Sequence, residues 1–272
     1  KYPARIYAKD FDNNGSYDAI PSLYLVDPNG AKKEYPAQTR DDLIKQMISM
    51  RAKFQNYITF ANATMDKVLT KEEKKDALVL EANSFNSVLL LNLGGGKFTS
   101  RSLPAEAQLS QLNGMVVDDF DSDGNLDVVI STNDYGTEVS VGRYDALNGL
   151  YLKGDGTGNF KPLSVAQSGI YIPGNGKALV KLNGADQQRL VVAGQNRGPI
   201  KIFRSKKKAA AVPVAARDVH ALIKLKSGKF QKHEFYYGSS FLSQSTRSLH
   251  VANAASIQIE DYQGRKRSLP VN

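Results

Sequence analysis

The interpretation of this sequence depends on one stretch, Asp119–Asp127, which reads DFDSDGNLD and continues into the apolar Val128–Ile130. Its carboxylates stand at the first, third, fifth and ninth positions, and a glycine stands at the sixth. Calcium takes about six to eight oxygen ligands, and side chains at alternate loop positions can converge on one ion. Glycine allows the backbone to turn around it. The stretch predicts a calcium site with side-chain ligands Asp119, Asp121, Asp123 and Asp127 and the carbonyl of Asn125.

The same pattern occurs near the start of the chain, where Asp10–Asp18 reads DFDNNGSYD. Both copies follow a predicted strand and precede an apolar pair. Carboxylates this close together repel one another unless a cation lies between them. We therefore predict a second calcium site, with ligands Asp10, Asp12, Asn14, Asp18 and the carbonyl of Ser16.

An acidic loop of this length has two other interpretations. An EF-hand needs Glu at position twelve and flanking helices, whereas Ile130 and Pro21 stand there and strands are predicted on both sides. The EF-hand is excluded on that ground. A turn rich in Asp and Asn that binds no ion remains the alternative, because these residues favour turns in any case. The repetition of the loop between strands favours the metal site.

Short apolar segments separated by Gly, Asn and Asp turns predict an all-β fold. Two aligned stretches, Leu91–Phe98 and Leu152–Phe160, predict Gly-rich hairpins. A third unit, Val180–Phe203, keeps the strands but has lost the acidic loop. There Lys181, Asn183, Ala185 and Arg189 align with Asp119, Asp121, Asp123 and Asp127. We hypothesise that Lys181 supplies an internal cation in place of calcium. Repeats of this size indicate blades or coils.

A helical insertion of about residues 40–80 interrupts the β pattern. Apolar residues recur with a helical period from Thr39 to about Tyr57. Thr39 with Asp42, and Thr70 with Glu73, have the spacing of N-terminal capping pairs. The insertion is interpreted as a cap packed on the blades, with a partner-binding lid as the alternative.

Charge is distributed unevenly along the 272 residues, whose formal net charge is +9. Residues 201–272 contain 14 Lys and Arg but four Asp and Glu, so the excess is confined to the C-terminal quarter. This asymmetry, together with the charged, small-residue stretch at 206–216, predicts a β region at 1–205, a linker at 206–216 and a small basic β domain at 217–272. There is no cysteine, which excludes disulfides and cysteine zinc sites. No apolar run is long enough for a membrane span.

The acidic stretches and the apolar strands after them resemble the FG-GAP/VCBS repeat, the blade unit of integrin-α-like β-propellers. The C-terminal string Tyr237–Ser245 (YGSSFLSQS) with Arg247 resembles the ASPIC/UnbV module, which commonly ends such propellers in secreted and bacterial surface proteins. The resemblance implies calcium in each acidic loop and an extracytoplasmic location, periplasmic, outer-membrane-associated or secreted. About three blades are visible, whereas closed propellers have about four to eight. Further blades are therefore expected upstream of Lys1.

These features favour a non-enzymatic, calcium-stabilised β-propeller scaffold that binds a protein or a glycan. A propeller-type polysaccharide hydrolase or lyase is the alternative. It would need convergent acid and base residues outside the acidic loops, and none is identified, because carboxylate pairs such as Asp118 and Asp119 lie in or beside a predicted calcium loop. Nucleic-acid binding through the basic C-terminal domain is a third, less favoured possibility, because alternating strands there turn lysines to solvent. Gly94–Lys97 lacks the Ser or Thr and the helix of a phosphate-binding loop.

Overall fold

The computed structural model describes residues 2–139, 141–207 and 211–271. The chain is 43% strand and 13% helix, in several small antiparallel sheets with no closed barrel among these residues. The prediction of a mostly β chain is confirmed. Contacts divide the chain between Phe85 and Asn86 into an N-terminal unit and a C-terminal unit. Residues 208–210 of the predicted linker lie outside the described residues. No described helix has the length and apolar character needed to cross a bilayer.

The N-terminal unit contains one antiparallel sheet with strand order β3-β2-β1-β4. Its strands are β1 (Ala4–Lys9), β2 (Asp18–Val26), β3 (Lys32–Pro36) and β4 (Leu78–Ala82). The register pairs Tyr7 with Ile20 and Lys9 with Asp18. Residues 10–17 therefore close the hairpin between β1 and β2.

The predicted helical insertion is present between β3 and β4 as a series of short helices. They are α1 (Arg40–Gln46), α2 (Met50–Lys53), α3 (Tyr57–Ala61), α4 (Met65–Val68) and α5 (Lys71–Lys74). The expected caps are present: Thr39 accepts from the N–H of Asp42, and Thr70 with Glu73 forms a complete capping box. Because Asn, Ser and Thr favour helix starts over helix interiors, the segment breaks into short turns. Side chains of the insertion such as Leu43 and Met47 form one buried cluster with Tyr7 and Ile20 of the sheet.

The C-terminal unit begins with a two-stranded hairpin and two antiparallel meanders. The hairpin is β5 (Val88–Gly94) with β6 (Lys97–Ser102), followed by a 3-10 turn at Ala105–Gln108. The first meander is β7 (Leu112–Asp118), β8 (Asp127–Thr132), β9 (Leu150–Gly154) and β10 (Phe160–Leu163). A short helix α6 (Val165–Ser168) leads to the second, which contains β11 (Gly176–Asn183), β12 (Arg189–Gln195) and β13 (Lys201–Arg204). Both hairpins predicted from the Gly-rich stretches are present.

The two meanders pack face to face through Val116, Val129, Leu179 and Val191. Their first strands approach closely at Gly114 of β7. A Cβ atom there would lie 2.3 Å from the carbonyl oxygen of Lys177 and 2.7 Å from the nitrogen of Leu179. Ser131 Oγ accepts from the Gly114 N–H at 3.0 Å and donates to the Lys177 carbonyl at 2.7 Å. A side chain at position 114 would separate the strands.

The C-terminal part of this unit has a sheet of order β16-β15-β18-β19 and a two-stranded ribbon β14-β17. The strands are β14 (Ala211–Pro213), β15 (Asp218–Leu225), β16 (Phe230–Glu234), β17 (Ser248–His250), β18 (Ala254–Asp261) and β19 (Lys266–Leu269). Residues 211–213, assigned to the linker from sequence, pair with β17. Val212 and Val214 pack on the core of this sheet, which explains why the segment is extended and ordered.

We predict that Gly114→Ala lowers the free energy of unfolding of the C-terminal unit by about 2 kcal/mol, because the new methyl group overlaps backbone atoms of β11. Gly194→Ala on β12 is the matched control, since its Cβ would meet Ala178 at an ordinary 3.5 Å. Urea denaturation of both variants measures the difference. Equal free energies of unfolding in the two variants would show that β7 and β11 can move apart without loss of stability.

Stability is also expected to depend on pH through His250, which is 7% exposed. Burial lowers the pKa of His250 from 6.5 to about 4, despite the opposing charge of Asp118. Between pH 6.5 and about 4, the unfolded chain therefore binds a proton at this histidine that the folded chain does not. The free energy of unfolding falls as the pH falls through this range. Between pH 7 and 5 we expect a loss of about 2 kcal/mol from this group. His250→Gln should remove that part of the pH dependence, whereas His220→Gln should retain it.

Candidate metal centres

Each predicted calcium loop closes a hairpin between two paired strands. Acidic loop 1 is Asp10–Asp18, and the register pairs Lys9 with Asp18 across β1 and β2. Acidic loop 2 is Asp119–Asp127, and Asp118 pairs with Asp127 across β7 and β8. Strands flank both loops, as the sequence predicts, so neither has the helix-loop-helix arrangement of an EF-hand.

The first aspartate of each loop fixes the turn by accepting two backbone N–H groups. Asp10 accepts from Asn14 at 3.0 Å and from Gly15 at 2.9 Å. Asp119 accepts from Asp123 at 3.1 Å and from Gly124 at 3.0 Å, which are the equivalent positions. The two loops therefore share one hydrogen-bond pattern although they belong to different units.

The backbone adopts the left-handed region at the same two positions of both loops. The fourth residues have φ of 57° (Asn13) and 62° (Ser122), and the sixth residues have φ of 85° (Gly15) and 88° (Gly124). Glycine adopts such angles without strain. The sixth position is glycine in both copies for this reason.

The ninth aspartate is the most buried member of each loop. Asp18 is 2% exposed and Asp127 is fully buried. Their Oδ2 atoms accept from the N–H of Phe11 at 3.0 Å and of Phe120 at 3.3 Å. Asp127 also accepts from Tyr151 Oη at 2.7 Å and from the Gly154 N–H at 2.9 Å. These donors satisfy the buried carboxylate and tie the loop to β9.

The structure brings together three carboxylates in each loop. In loop 1, one carboxylate oxygen from each of Asp10, Asp12 and Asp18 lies within 4.8 Å of the other two. In loop 2, the same holds for Asp119, Asp121 and Asp127. Both triads could hold a metal ion. Asn14 Oδ1 accepts from the Ser16 N–H, and Asp123 Oδ1 from the Asn125 N–H. The ligand roles of Asn14, Ser16, Asp123 and Asn125 stay predictions.

Burial and mutual repulsion make both triads costly when they are ionised and empty. Burial, together with the charges of Asp12 and Asp10, raises the pKa of Asp18. Burial and neighbouring carboxylates likewise raise the pKa values of Asp119 and Asp127. Asp12 Oδ1 is buried without a hydrogen-bond partner among the described residues. A bound divalent cation would relieve each of these penalties, so the donor sets fit a hard metal ion.

Acidic loop 2 contains an internal cation that the sequence interpretation missed. Lys153 Nζ bonds to Asp121 Oδ2 and lies 2.9 Å from Asp123 Oδ2. Burial alone would raise the pKa of Asp123, but Lys153 and the Asn125 N–H hold it below its usual value. Acidic loop 1 has no such ion pair among the described residues. Aligning the two Gly-rich hairpins could have pointed to this lysine, because Lys153 stands where the other hairpin has Asn92.

The third unit also contributes positive charge, but not in the way we hypothesised from its sequence. Lys181 Nζ lies 3.0 Å from Asp118 Oδ2, at the end of β7, and not within its own loop. Arg189 lies 3.6 Å from Asp118 and donates to the Asp119 carbonyl at 2.8 Å. Burial would raise the pKa of Asp118, yet these two cations hold it below the usual value. Asp118 is 1% exposed and committed to these partners.

The C-terminal sheet also touches acidic loop 2. Lys229 Nζ donates to Asn125 Oδ1 at 3.0 Å, and Gln231 Nε2 to Asp119 Oδ2 at 3.5 Å. A Cβ on Gly124 would lie 2.9 Å from Leu225 Cδ1. Loop 2 is therefore covered, whereas a Cβ on the equivalent Gly15 of loop 1 would meet nothing within 4 Å.

Comparisons of the chain with models of protein families, with curated proteins and with solved structures give no match.

We predict that Lys153→Met increases the calcium affinity of acidic loop 2 by about tenfold, because it removes a charge that competes with the ion. Asp12→Asn in the same chain silences loop 1, so that calorimetric titration reports loop 2 alone. Lys161→Met is the matched control, since Lys161 pairs with Lys153 in the β9–β10 register but has no carboxylate partner among the described residues. Equal affinities in the two Lys variants would show that Lys153 does not compete.

Proposed function

We propose that this chain is a non-enzymatic, calcium-stabilised scaffold of the FG-GAP/VCBS β-propeller type, which works outside the cytoplasm and binds a protein or a glycan. The observation that carries the proposal is the shared geometry of the two acidic loops. Each joins antiparallel strands, uses its first carboxylate to fix a turn and gathers three carboxylates within 4.8 Å. Two independent copies of such a cluster are best explained by a bound ion.

The sheet topology supports the propeller part of the proposal. A propeller blade is a four-stranded antiparallel meander, and β7 to β10 have this order. β11 to β13 form a second, three-stranded meander. The first strands of the two meanders meet at Gly114 and Lys177, as adjacent inner strands would. In this interpretation β7 and β11 are inner strands, and the acidic loop connects the first two strands of its blade.

Calcium is the ion that the donors favour. All the donors of the two triads are carboxylate oxygens, which suit hard cations, and no histidine or cysteine belongs to either triad. Extracellular calcium modules bind at about 10⁻⁴ to 10⁻³ M, so open sites of this kind would be filled outside the cytoplasm. The ion would act by binding only the folded chain, which stabilises it.

The enzymatic alternative gains no support from the paired carboxylates Asp118 and Asp119. Asp118 is buried against Lys181 and Arg189, and Asp119 holds the turn of acidic loop 2. The two carboxylates are therefore not arranged so that one protonates a glycosidic oxygen while the other activates a water molecule. Loops on a rigid scaffold, rather than this pair, are the expected place for ligand recognition.

We predict that calcium raises the melting temperature of the full chain above its value in EGTA by about 5 °C or more, since a ligand at about 100 times its Kd contributes about 2.7 kcal/mol. Metal analysis of the dialysed protein should find close to two ions per chain. Absence of both the shift and the metal would contradict the proposal.

Variants assign the ions to the loops. Asp12→Asn should abolish calcium-dependent protection from hydrogen exchange around residues 10–18 while protection around 119–127 persists, and Asp121→Asn should do the reverse. Asp145→Asn, an exposed aspartate outside both triads, is the control. Loss of protection at both loops in each single variant would argue against two independent sites.

A further inference from the structure

A second candidate site lies at the end of the meanders opposite to acidic loop 2. That loop joins the ends of β7 and β8 at Asp118 and Asp127, whereas Thr132 marks the other end of β8. β11 begins at Gly176, which pairs with Gln195 at the end of β12. A Cβ on Gly176 would lie 3.1 Å from the Thr132 carbonyl oxygen, so these strand ends lie next to Thr132. Segments next to these strand ends line a cleft of about 560 Å³. This volume is in the range of pockets that hold small-molecule ligands.

The lining of this cleft is cationic. Arg143, Arg197 and Lys201 line it, and none of them has a carboxylate partner among the described residues. No Asp or Glu belongs to the lining. The neighbouring Asp134 is already bonded to Lys177 Nζ at 3.1 Å and to the Gly136 N–H at 2.9 Å. The positive charge of the cleft is therefore free to attract an anion.

The walls of the cleft are fixed by one glutamine. Gln195 Oε1 accepts from the Gly174 N–H at 2.7 Å, and its Nε2 donates to the Pro199 carbonyl at 2.7 Å. A Cβ on Gly174 would lie 2.4 Å from Gln195 Oε1, so a side chain there would displace this amide from its position. The two walls are thus held in place before any ligand arrives, which lowers the entropic cost of binding.

Two further features distinguish the cleft from ordinary surface. Asn175 lines it, is 3% exposed, and its Oδ1 has no hydrogen-bond partner among the described residues. Such an unpaired acceptor is costly unless a ligand donor reaches it. Arg197 has a φ of 56°, which is unusual for a long side chain. Strain of this kind concentrates at binding sites.

We propose that the cleft binds a short anionic oligosaccharide. Its carboxylate or sulfate groups pair with Arg143, Arg197 and Lys201, and its hydroxyl groups bond to the amide side chains of Asn175 and Asn196. The guanidinium fork of arginine suits planar and tetrahedral anions. Amides and a tyrosine, with no large aliphatic side chain in the lining, suit a hydroxylated ligand better than an acidic peptide. The inference rests on the proposed function in taking the chain to be a binding scaffold.

The test is a calorimetric titration of the full chain at low ionic strength with four probes. A short oligogalacturonate carries carboxylates, a heparin-derived oligosaccharide carries sulfates, a dextran oligosaccharide is neutral, and a poly-glutamate peptide carries carboxylates without sugar. We expect one or both anionic oligosaccharides to bind and the dextran oligosaccharide not to bind. Preference between the first two identifies the anionic group. Equal binding of the neutral sugar, or tighter binding of the peptide, would overturn the proposal.

Variants locate the binding. Arg197→Gln combined with Lys201→Gln should weaken it by about tenfold or more. Lys224→Gln combined with Lys226→Gln removes the same charge from exposed positions elsewhere and should leave affinity nearly unchanged. Equal losses in the two double variants would show non-specific attraction and overturn the site. The calcium-dependent melting temperature of each variant separates the two proposals, because it tests the acidic loops without any oligosaccharide.

Discussion

The hydrogen bonds from backbone N–H groups to the first and ninth aspartates of each acidic loop are the interaction on which both hairpins depend. They hold the chain in its turn, while Phe11 and Phe120 pack on the neighbouring apolar clusters. Asp127 shows the reach of this arrangement, because its carboxylate accepts from the loop, from Tyr151 and from Gly154. The same bonds draw carboxylates together against their mutual repulsion. The turn and the need for a cation therefore have one cause.

The three units differ in the positive charge that lies beside the loop. Acidic loop 1 has no ion pair among the described residues, so under our proposal an ion from solution neutralises it. Acidic loop 2 combines its triad with the ammonium group of Lys153. In the third unit the carboxylates are gone, and Lys181 with Arg189 serves the neighbouring strand end at Asp118. The two acidic loops thus share one backbone arrangement but differ in the positive side-chain charge beside it.

Much of this was predictable from sequence because its causes are local. Alternating carboxylates, glycine at the sixth position and Thr–Glu capping pairs act within a few residues, so the loops, flanking strands and helix starts were expected. Lys153 could be found only by comparing the two Gly-rich hairpins, since its partners lie about thirty residues earlier in the chain. Gln195 was not predictable, because its role depends on two loops that only the folded meanders bring together. The pairing of 211–213 with β17 was hidden by its small, linker-like residues.

The difference in charge balance between the acidic loops has a consequence for how each loop closes when no ion is bound. In the C-terminal unit, Lys153 offsets part of the negative charge of loop 2, so this loop can close without a bound ion. The N-terminal unit lacks an equivalent cation among its described residues, so closing loop 1 without an ion leaves three carboxylates in mutual repulsion. Closure of loop 1 is therefore expected to respond to a bound cation more strongly than closure of loop 2.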